Sequence, residues 1–381
     1  MKKLYLLDDA IISPLGFSTK ENIQSIREGN SGLKLQQRPE ITENPFFAGI
    51  IDETLLNQAF SEIGSSEKFT KLEKLIILAV KLILNKNRNL DPTKTALIIA
   101  TTKGNIDLLN EPGGFPINRL KLSELGKVVA NFFGFAQTPI IVSNACISGG
   151  LGLAVARRLG NSEKIKNAIV VGADLVSDFV ISGFNSFQAL STKACKPFSK
   201  DRDGISLGEA AAAIMVSTEK PEISNVISLI GDASANDANH ISGPSRTGEG
   251  LYKSIQKALK EASISAEEIG FLSAHGTATV YNDEMESMAF QRSALQKSPL
   301  HSLKGFYGHT LGASALIESI ITKHSMLNNE IFASKNFEEL GVSKPLNVIQ
   351  KNEKKEIRYA LKTASGFGGC NLALVFKAEK Q

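Results

Sequence analysis

The alternation of short apolar runs with amphipathic stretches limits most strongly how this chain can fold. Between the apolar runs lie helical patterns such as 68–85, where Leu72, Leu75, Ile76 and Ala79 fall on one face. Alternating strands and helices predict an α/β fold in which helices cover the sheet. Four of the runs have the length and residue types of buried strands: 4–7, 96–100, 139–143 and 168–171.

A faint internal repeat divides the chain into two halves. The segment 4–13 resembles 227–236, and 208–220 resembles 368–380, so each half opens and closes with a similar strand. The connector around 219–222 is polar and contains a proline. These features predict two domains, residues 1–220 and 221–381, and a length of 381 residues fits two such units.

Composition excludes several classes of protein. The 43 Lys and Arg residues nearly balance the 39 Asp and Glu residues without a long basic block, so nucleic acid is not an expected partner. The three cysteines lie far apart, which predicts neither a disulfide framework nor a cysteine zinc site. The most apolar stretch, 75–84, is half a membrane span, and the apolar run at the N-terminus is too short for a signal peptide. We therefore expect a cytoplasmic protein that does not enter a membrane.

Cys146 is the first candidate for chemistry. It lies in SNACISGGLGLAVARRLG, directly after a predicted strand and at the start of a predicted helix. The partial positive charge at a helix N-terminus lowers the pKa of a thiol and favours the reactive thiolate. Gly149, Gly150 and Gly152 allow a ligand to approach the backbone closely. A single cysteine is more often a core residue, so the interpretation depends on the other segments.

Two glycine-flanked histidines follow predicted strands in the second half. His275 begins the segment HGTAT after the strand 270–274, and His309 lies within KGFYGHTLGAS. Packing alone does not explain glycines beside two histidines, and a further glycine-rich loop, SGFGGCN, lies near the C-terminus. The remaining histidines match no such pattern and are expected to be structural or at the surface: His240, His301 and His324.

Together these segments resemble the β-ketoacyl-acyl carrier protein synthases over nearly the full length. The resemblance begins at AIISPLG, passes through ACISG, KPFSKDRDGISLGEAAA, AHGTATVYNDEME and KGFYGHTLGAS, and ends at GFGGCN. A cysteine, HGTxT, K-x4-H and GFGG, in this order and at family-like spacing, form a highly specific pattern. The resemblance implies the thiolase fold, in which two pseudo-repeated βαβαβαββ halves form a five-layered α/β/α/β/α core. The internal repeat agrees with it.

The resemblance also implies the catalytic residues by position. Cys146 corresponds to the acylated nucleophile, and its backbone N–H forms an oxyanion hole with that of Phe367, the gate residue. Thr277 and Thr279 correspond to contacts of the pantetheine arm. Lys304 and Glu286 are interpreted as fixing the electrostatics and orientation of His309 and the neighbouring loop. The remaining catalytic residues all come from the second half: His275, Glu286, Lys304 and His309.

The implied reaction is the decarboxylative condensation of malonyl-acyl carrier protein with an acyl group on Cys146, in fatty acid or polyketide and polyene biosynthesis. It needs no metal or redox cofactor. The implied partners are acyl- and malonyl-loaded acyl carrier protein and a second copy or a related ketosynthase-like chain, in a homodimer or heterodimer. An acidic carrier protein is attracted to positive charge. Basic residues lie near the entrance in the family at the places of Lys68, Lys71 and Lys196.

Two alternatives stay open. A thiolase-type acyltransferase would share the fold and the cysteine, but Cys370 followed by Asn371 does not fit its second cysteine motif. A non-catalytic chain-length partner would lack the nucleophile, whereas Cys146 is present. Several departures from the family pattern leave the preferred acyl chain undetermined: Ile147, Ala278, Asn282, Ala315 and a shortened segment 101–146.

Overall fold

The computed structural model of the protein describes residues 2–110, 112–238 and 243–380. His240 lies outside the described residues. Within these ranges, no helix has both the length and the apolar character needed to cross a membrane.

The first half contains fourteen β-strands and α-helices in the described residues. In chain order they are β1 (Leu4–Ile12), α1 (Thr19–Arg27), β2 (Lys34–Gln36), β3 (Phe46–Gly49), α2 (Glu53–Ser61), α3 (Lys71–Lys86), β4 (Ala96–Ala100), α4 (Leu122–Phe133), β5 (Ile140–Val142), α5 (Ser148–Asn161), β6 (Asn167–Asp174), α6 (Asp178–Ser186), β7 (Leu207–Gly208) and β8 (Ala210–Ser217).

The second half contains twelve β-strands and α-helices in the described residues. They are β9 (Asn225–Asn236), α7 (Glu249–Ala262), β10 (Phe271–Ser273), α8 (Val280–Arg292), β11 (Pro299–His301), α9 (Lys304–Tyr307), α10 (Ser314–Asn328), β12 (Glu330–Ile331), β13 (Asn347–Val348), β14 (Glu353–Lys354), β15 (Tyr359–Gly366) and β16 (Cys370–Lys380).

Local signals set the ends of these elements. The predicted helix 68–85 is α3, but it begins three residues later because Thr70 and Glu73 form a capping box there. The Thr70 hydroxyl accepts the N–H of Glu73 at 3.1 Å, and the Glu73 carboxylate accepts the N–H of Thr70 at 3.0 Å. Three of the four strands predicted from apolar runs lie within β1, β4 and β6, and the fourth, 139–143, contains the shorter strand β5.

The two halves repeat one strand order. The first forms the half-sheet β5-β4-β6-β8-β1, and the second forms β11-β10-β15-β16-β9, with β13 added at its edge. In each half the first three strands are parallel and the last two are antiparallel. The half-sheets join where Leu4, Tyr5 and Leu6 pair with residues 229–227 of β9. This arrangement is the βαβαβαββ repeat expected from the sequence.

Helices form three layers around the two half-sheets. One apolar cluster joins α3 and α4 to the outer face of the first half-sheet, and another joins α7 and α8 to the outer face of the second. The central cluster contains α5 and α10, between the half-sheets. Successive residues of a strand point to opposite faces of the sheet, so that β4 contributes side chains to both clusters. Ile98 belongs to the central cluster, and Leu97 and Ile99 belong to the outer one.

The central helices approach each other closely at their N-terminal ends. A Cβ at Gly149 of α5 would lie 2.6 Å from the carbonyl oxygen of Gly312, just before α10. Only glycine permits this contact. The helix starts, and with them the loops that precede α5 and α10, therefore lie side by side.

We propose the division into residues 1–220 and 221–381 as one of structural halves. The boundary lies between β8 and β9. The central cluster draws on both sides of it, so the halves share a core.

Candidate active site

The turn between β5 and α5 presents Cys146. Ala145 adopts a left-handed conformation with φ of 43°, which is strained for a residue with a Cβ. The Ser148 hydroxyl stabilises the turn, since it accepts the N–H of Asn144 at 2.8 Å and donates to the carbonyl of Ala145 at 2.6 Å. The turn places the cysteine directly before the first turn of α5, as predicted.

The thiol of Cys146 is more deeply buried than the sequence suggested. Burial raises its pKa to about 11, and the charge of Lys304 and a hydrogen bond from the N–H of Phe367 lower it by less. The expectation that the position at a helix N-terminus lowers the pKa of this thiol is therefore wrong, because the loss of hydration outweighs the favourable contacts. The thiol is protonated at neutral pH.

His309 lies between α9 and α10 and is held by both halves. Its backbone pairs with β7 of the first half, where its N–H donates to Ser206 O at 2.7 Å. The ring Nδ1 accepts the N–H of Leu311 at 3.3 Å and contacts the Ser314 hydroxyl at 2.9 Å. A backbone N–H can only donate, so Nδ1 carries no proton and Nε2 carries it. Within the described part of the chain, Nε2 is buried and has no hydrogen-bond partner.

His275 follows β10 and faces His309. The two ring centroids are 5.2 Å apart, with the planes at 83°. Lys304 Nζ lies 3.4 Å from His275 Nδ1, and an ammonium can only donate, so Nε2 carries the proton here too. Burial, followed by the charge of Lys304, holds the pKa of both histidines well below the ordinary value. Two neutral imidazoles, each with one free N–H, result.

The two residues expected to fix the electrostatics and orientation of His309 and the neighbouring loop, Lys304 and Glu286, make their hydrogen bonds to the His275 loop. Lys304 donates to the carbonyl of His275 at 2.8 Å and pairs with Glu318 at 2.7 Å. Glu286 accepts the N–H of His275 at 2.9 Å and the N–H of Gly276 at 2.6 Å. Burial, with the charge of Asp283 next, raises the pKa of Glu286 to about 7.

Sequence reasoning missed Glu318 and Lys362, which extend this buried network. Glu318 lies on α10, and its second oxygen pairs with Lys362 of β15 at 2.7 Å. Both side chains are nearly inaccessible. The sequence does hold a signal for them, since each is the one charged residue in an otherwise uncharged stretch, SALIESII for Glu318 and YALKTASG for Lys362.

A cavity of about 320 Å³ opens beside these groups. Phe367 lies at its mouth, where its ring packs against Phe184 at 5.5 Å and Phe187 at 5.2 Å. The Thr277 and Thr279 hydroxyls, 2.9 Å apart, lie on one side. The predicted residues that line it are Cys146, His275, Thr277, Thr279, His309 and Phe367.

Ala278 stands at a position where the resembling family has glycine, and the backbone shows why this matters. Its φ is 63°, in the left-handed region that favours glycine. The strain lies between the two threonines that line the cavity. A residue with a Cβ at this position therefore raises the backbone energy of this loop.

The three lysines predicted to dock a carrier protein differ in their surroundings. Lys71 is largely buried and pairs with Glu209 at 2.6 Å. Lys196 pairs with Asp201 at 2.6 Å and with Glu338 at 3.3 Å. Lys68 is exposed, and it has no ion pair among the described residues. Two of the three charges are thus locally compensated, contrary to a free basic patch.

The two described histidines outside the cavity are structural. His301 is buried and its Nδ1 contacts the carbonyl of Phe332 at 3.1 Å. His324 pairs with Asp9 at 2.9 Å.

Comparison with known proteins agrees with this geometry. The sequence matches the family described as Beta-ketoacyl synthase, N-terminal domain, over residues 9–222. It matches Beta-ketoacyl synthase, C-terminal domain, over residues 227–338. A 3-oxoacyl-[acyl-carrier-protein] synthase 2 from Vibrio cholerae is 32% identical over 64% of this chain and 63% of its own length. A Schizosaccharomyces pombe protein named as a mitochondrial 3-oxoacyl-[acyl-carrier-protein] synthase is 27% identical over 99% of both chains.

Solved structures share the fold. A ketosynthase in complex with its chain length factor, from Xenorhabdus doucetiae, has a TM-score of 0.87 at 23% identity, over 99% of this chain and 98% of that one. The two family matches together cover most of the chain, and the fold is the thiolase fold of the ketosynthases. The chain therefore belongs to the β-ketoacyl synthase family of condensing enzymes.

Proposed function

We propose that the protein condenses malonyl-acyl carrier protein with an acyl group held on Cys146 and releases CO₂. One observation carries this proposal. Two neutral imidazoles, each with its ring proton on Nε2, line the cavity that also contains a cysteine at a helix start. Donors of this kind suit a reaction that develops negative charge on an oxygen.

The first step loads the enzyme. The Cys146 sulfur attacks the acyl thioester, a new thioester forms on Cys146, and the carrier thiol leaves. The proton of Cys146 passes to the departing thiolate, so the step is neutral overall. The raised pKa of Cys146 means that this proton leaves during the attack, since little thiolate exists beforehand.

The second step makes the carbon nucleophile. Malonyl-carrier binds, its C–C bond to the carboxylate breaks, CO₂ leaves, and the electron pair forms an enolate. His275 and His309 donate their Nε2–H groups to the enolate oxygen. Each such donor contributes about 3 kcal/mol to the stability of a developing charge, or ~10²-fold in rate.

The third step joins the chains. The enolate carbon attacks the acyl-Cys146 carbonyl, whose oxygen then faces the N–H groups of Cys146 and Phe367. The Cys146 thiolate leaves and takes up a proton from water, which restores the thiol, and a β-ketoacyl group remains on the carrier protein. Thr277 and Thr279 contact the pantetheine arm, and Phe367 acts as the gate at the cavity mouth.

We propose acyl carrier protein as the partner that delivers both substrates, with Lys68 as the unpaired docking cation. We also propose a dimer, either of two copies or with a related ketosynthase-like chain. β5 supports this, because it is the edge strand of the described sheet and its pairing across a two-fold would continue the sheet. Light scattering that shows an active monomer of 41.0 kDa would contradict the dimer. The cytoplasm is the proposed compartment.

Mass spectrometry of the protein with a panel of acyl-loaded carriers tests the function. We expect an acyl group on Cys146, followed by release of CO₂ and formation of a β-ketoacyl-carrier when malonyl-carrier is added. An acylated enzyme that releases no CO₂ from malonyl-carrier would point to a thiolase-type acyltransferase. If no carrier acylates the protein, but a partner chain becomes active when the protein is added, the result would point to a chain-length subunit.

A further inference from the structure

Lys362 is a buried cation that the steps above do not use. It lies in the middle of β15, and its side chain is 1% exposed. Its ammonium donates to three backbone carbonyls, those of Thr363 at 2.6 Å, Ala274 at 3.1 Å and Ser273 at 3.3 Å. The ion pair with Glu318 Oε2 at 2.7 Å completes a cage of four oxygens. A charge is tolerated in a protein interior only when it is paired and hydrogen-bonded in this way.

Two of the carbonyl oxygens of this cage belong to the residues immediately before His275 in the chain. Ser273 and Ala274 directly precede that histidine, and Lys304 binds the next carbonyl, His275 O, at 2.8 Å. Two ammonium groups thus hold three consecutive carbonyl oxygens at the end of β10. Glu318 lies between the lysines, with one carboxylate oxygen 2.7 Å from each. The backbone that leads into His275 is fixed by two cations and the carboxylate that they share.

Glu286 holds the amide side of the same backbone. It accepts the N–H groups of His275 at 2.9 Å and Gly276 at 2.6 Å. Thr363, the neighbour of Lys362, donates its hydroxyl to Glu286 at 3.3 Å. Two adjacent residues of β15 therefore support His275, one through carbonyl oxygens and one through the carboxylate that binds its amide.

The charge of Lys362 also acts on both catalytic imidazoles. Burial is the largest cause of the lowered pKa of His275 and His309, and the positive charges of Lys304 and Lys362 lower both further. A nearby cation disfavours the imidazolium form. The rings stay neutral and keep one N–H donor each.

We propose that Lys362 is a positioning residue for the condensation, a built-in monovalent cation that orients His275 through the carbonyls of Ser273 and Ala274 and through Glu318. The inference rests on the proposed function, since it concerns the same histidine. Among the described residues, Lys362 is not part of the cavity wall, so it acts through its neighbours and does not touch substrate.

Lys362→Met tests the charge, since methionine fills most of the volume without N–H donors. Decarboxylation of malonyl-carrier should fall about 10²-fold, because a displacement of about 1 Å in a catalytic group has an effect of that size. Acyl transfer to Cys146 should stay near the wild-type rate.

Lys323→Met is the matched control. Lys323 is also a buried, ion-paired lysine, but it binds Asp9 and the carbonyl of Leu7 on β1. Its replacement should lower the melting temperature and leave the ratio of decarboxylation to acyl transfer unchanged.

Lys362→Ala tests the cage by chemical rescue. Alanine keeps the Cβ and leaves a space with the shape of n-propylammonium. We expect n-propylammonium chloride to restore decarboxylation, and tetramethylammonium, which has the same charge but no N–H group, to fail. If the variant is unfolded, it is refolded in n-propylammonium and the same comparison is made.

Several outcomes would overturn the proposal. Equal loss of acyl transfer and decarboxylation in folded Lys362→Met would show a structural role, as would loss of the fold in both variants without recovery in n-propylammonium. Unchanged decarboxylation in Lys362→Met, or a folded, amine-loaded Lys362→Ala that stays inactive, would also refute it. If the wild-type protein releases no CO₂ from malonyl-carrier, the proposed function itself fails, before any variant is compared.

Discussion

The loops before α5 and α10 occupy equivalent places in the two halves, yet they hold their functional groups in different ways. Cys146, before α5, is buried in the cavity wall, and this burial raises the pKa of its thiol to about 11. His309, before α10, is held by Leu311 and Ser314, and the charges of Lys304 and Lys362 add to burial in lowering its pKa. The first half contributes a neutral nucleophile and the second a charged support for two neutral donors.

This difference shows how a repeated fold divides its work. The common strand order brings two helix starts together, whatever residues they carry. Strand β6 of the first half ends at the buried Asp174, whereas the equivalent strand of the second half, β15, carries Lys362 in its middle. The repeat therefore fixes the distance between the groups, and the two charges that lower the pKa of both histidines, Lys304 and Lys362, come from the second half.

The largest expected effect tests the role of the first half. Cys146→Ala should lower condensation by about 10³-fold or more, because the covalent intermediate is lost. The fold should persist, since only one sulfur is removed. Steady-state assays and circular dichroism measure both, with Cys195→Ala, a buried cysteine outside the cavity wall, as the active control. Acylation at another cysteine while Cys146 stays unmodified would count against the assignment.

The raised thiol pKa gives the next largest effect. Below a pKa of about 11 the thiolate fraction grows with pH, so alkylation of Cys146 should accelerate about tenfold per pH unit from about pH 7 to 10. Iodoacetamide labelling followed by mass spectrometry measures the rate, and free cysteine, with a pKa of about 8.5, should level off earlier. A plateau near pH 7 would mean that the helix N-terminus dominates after all.

Replacing the histidines tests the second half. His275→Ala and His309→Ala should each reduce decarboxylation by ~10²-fold, and acyl transfer to Cys146 by much less. The loss of decarboxylation rate in the double variant should be smaller than the product of the two single losses, since both histidines donate to the same oxygen. ¹⁴C-acyl transfer and CO₂ release are measured separately, with His324→Gln as the control. If both reactions collapse together, the histidines act as bases for the thiol.

The smallest effect concerns the contact that joins the halves. Gly149→Ala places a Cβ against the Gly312 carbonyl and should destabilise the fold by about 1–3 kcal/mol, as overpacking does. Gly183→Ala, on α6, meets nothing within 4 Å and should change stability by about 1 kcal/mol or less. Urea unfolding compares them. Equal free energies of unfolding for the two variants would show that α5 and α10 can move apart at this contact without loss of stability.

The sequence predicted the parts of the molecule that are local or carried by motifs. The apolar runs lie in the strands they predicted, and the motifs brought Cys146, His275 and His309 to one cavity. It could not show the cage around Lys362, because residues 273, 318 and 362 meet only in the folded chain. It also gave the wrong sign for the thiol pKa, because burial depends on packing that a helix-start pattern does not contain.

The shared core of α5 and α10 governs how the protein loses its structure. Apolar residues of both halves, among them Ile98, Leu153, Leu316 and Leu374, belong to one cluster between the half-sheets. Neither half can open while the other keeps its interior, so the two form a single cooperative unit. Heating should therefore produce one calorimetric transition, and activity should disappear over the same interval. The distance between Cys146 and the two imidazoles should thus be kept until the whole protein unfolds.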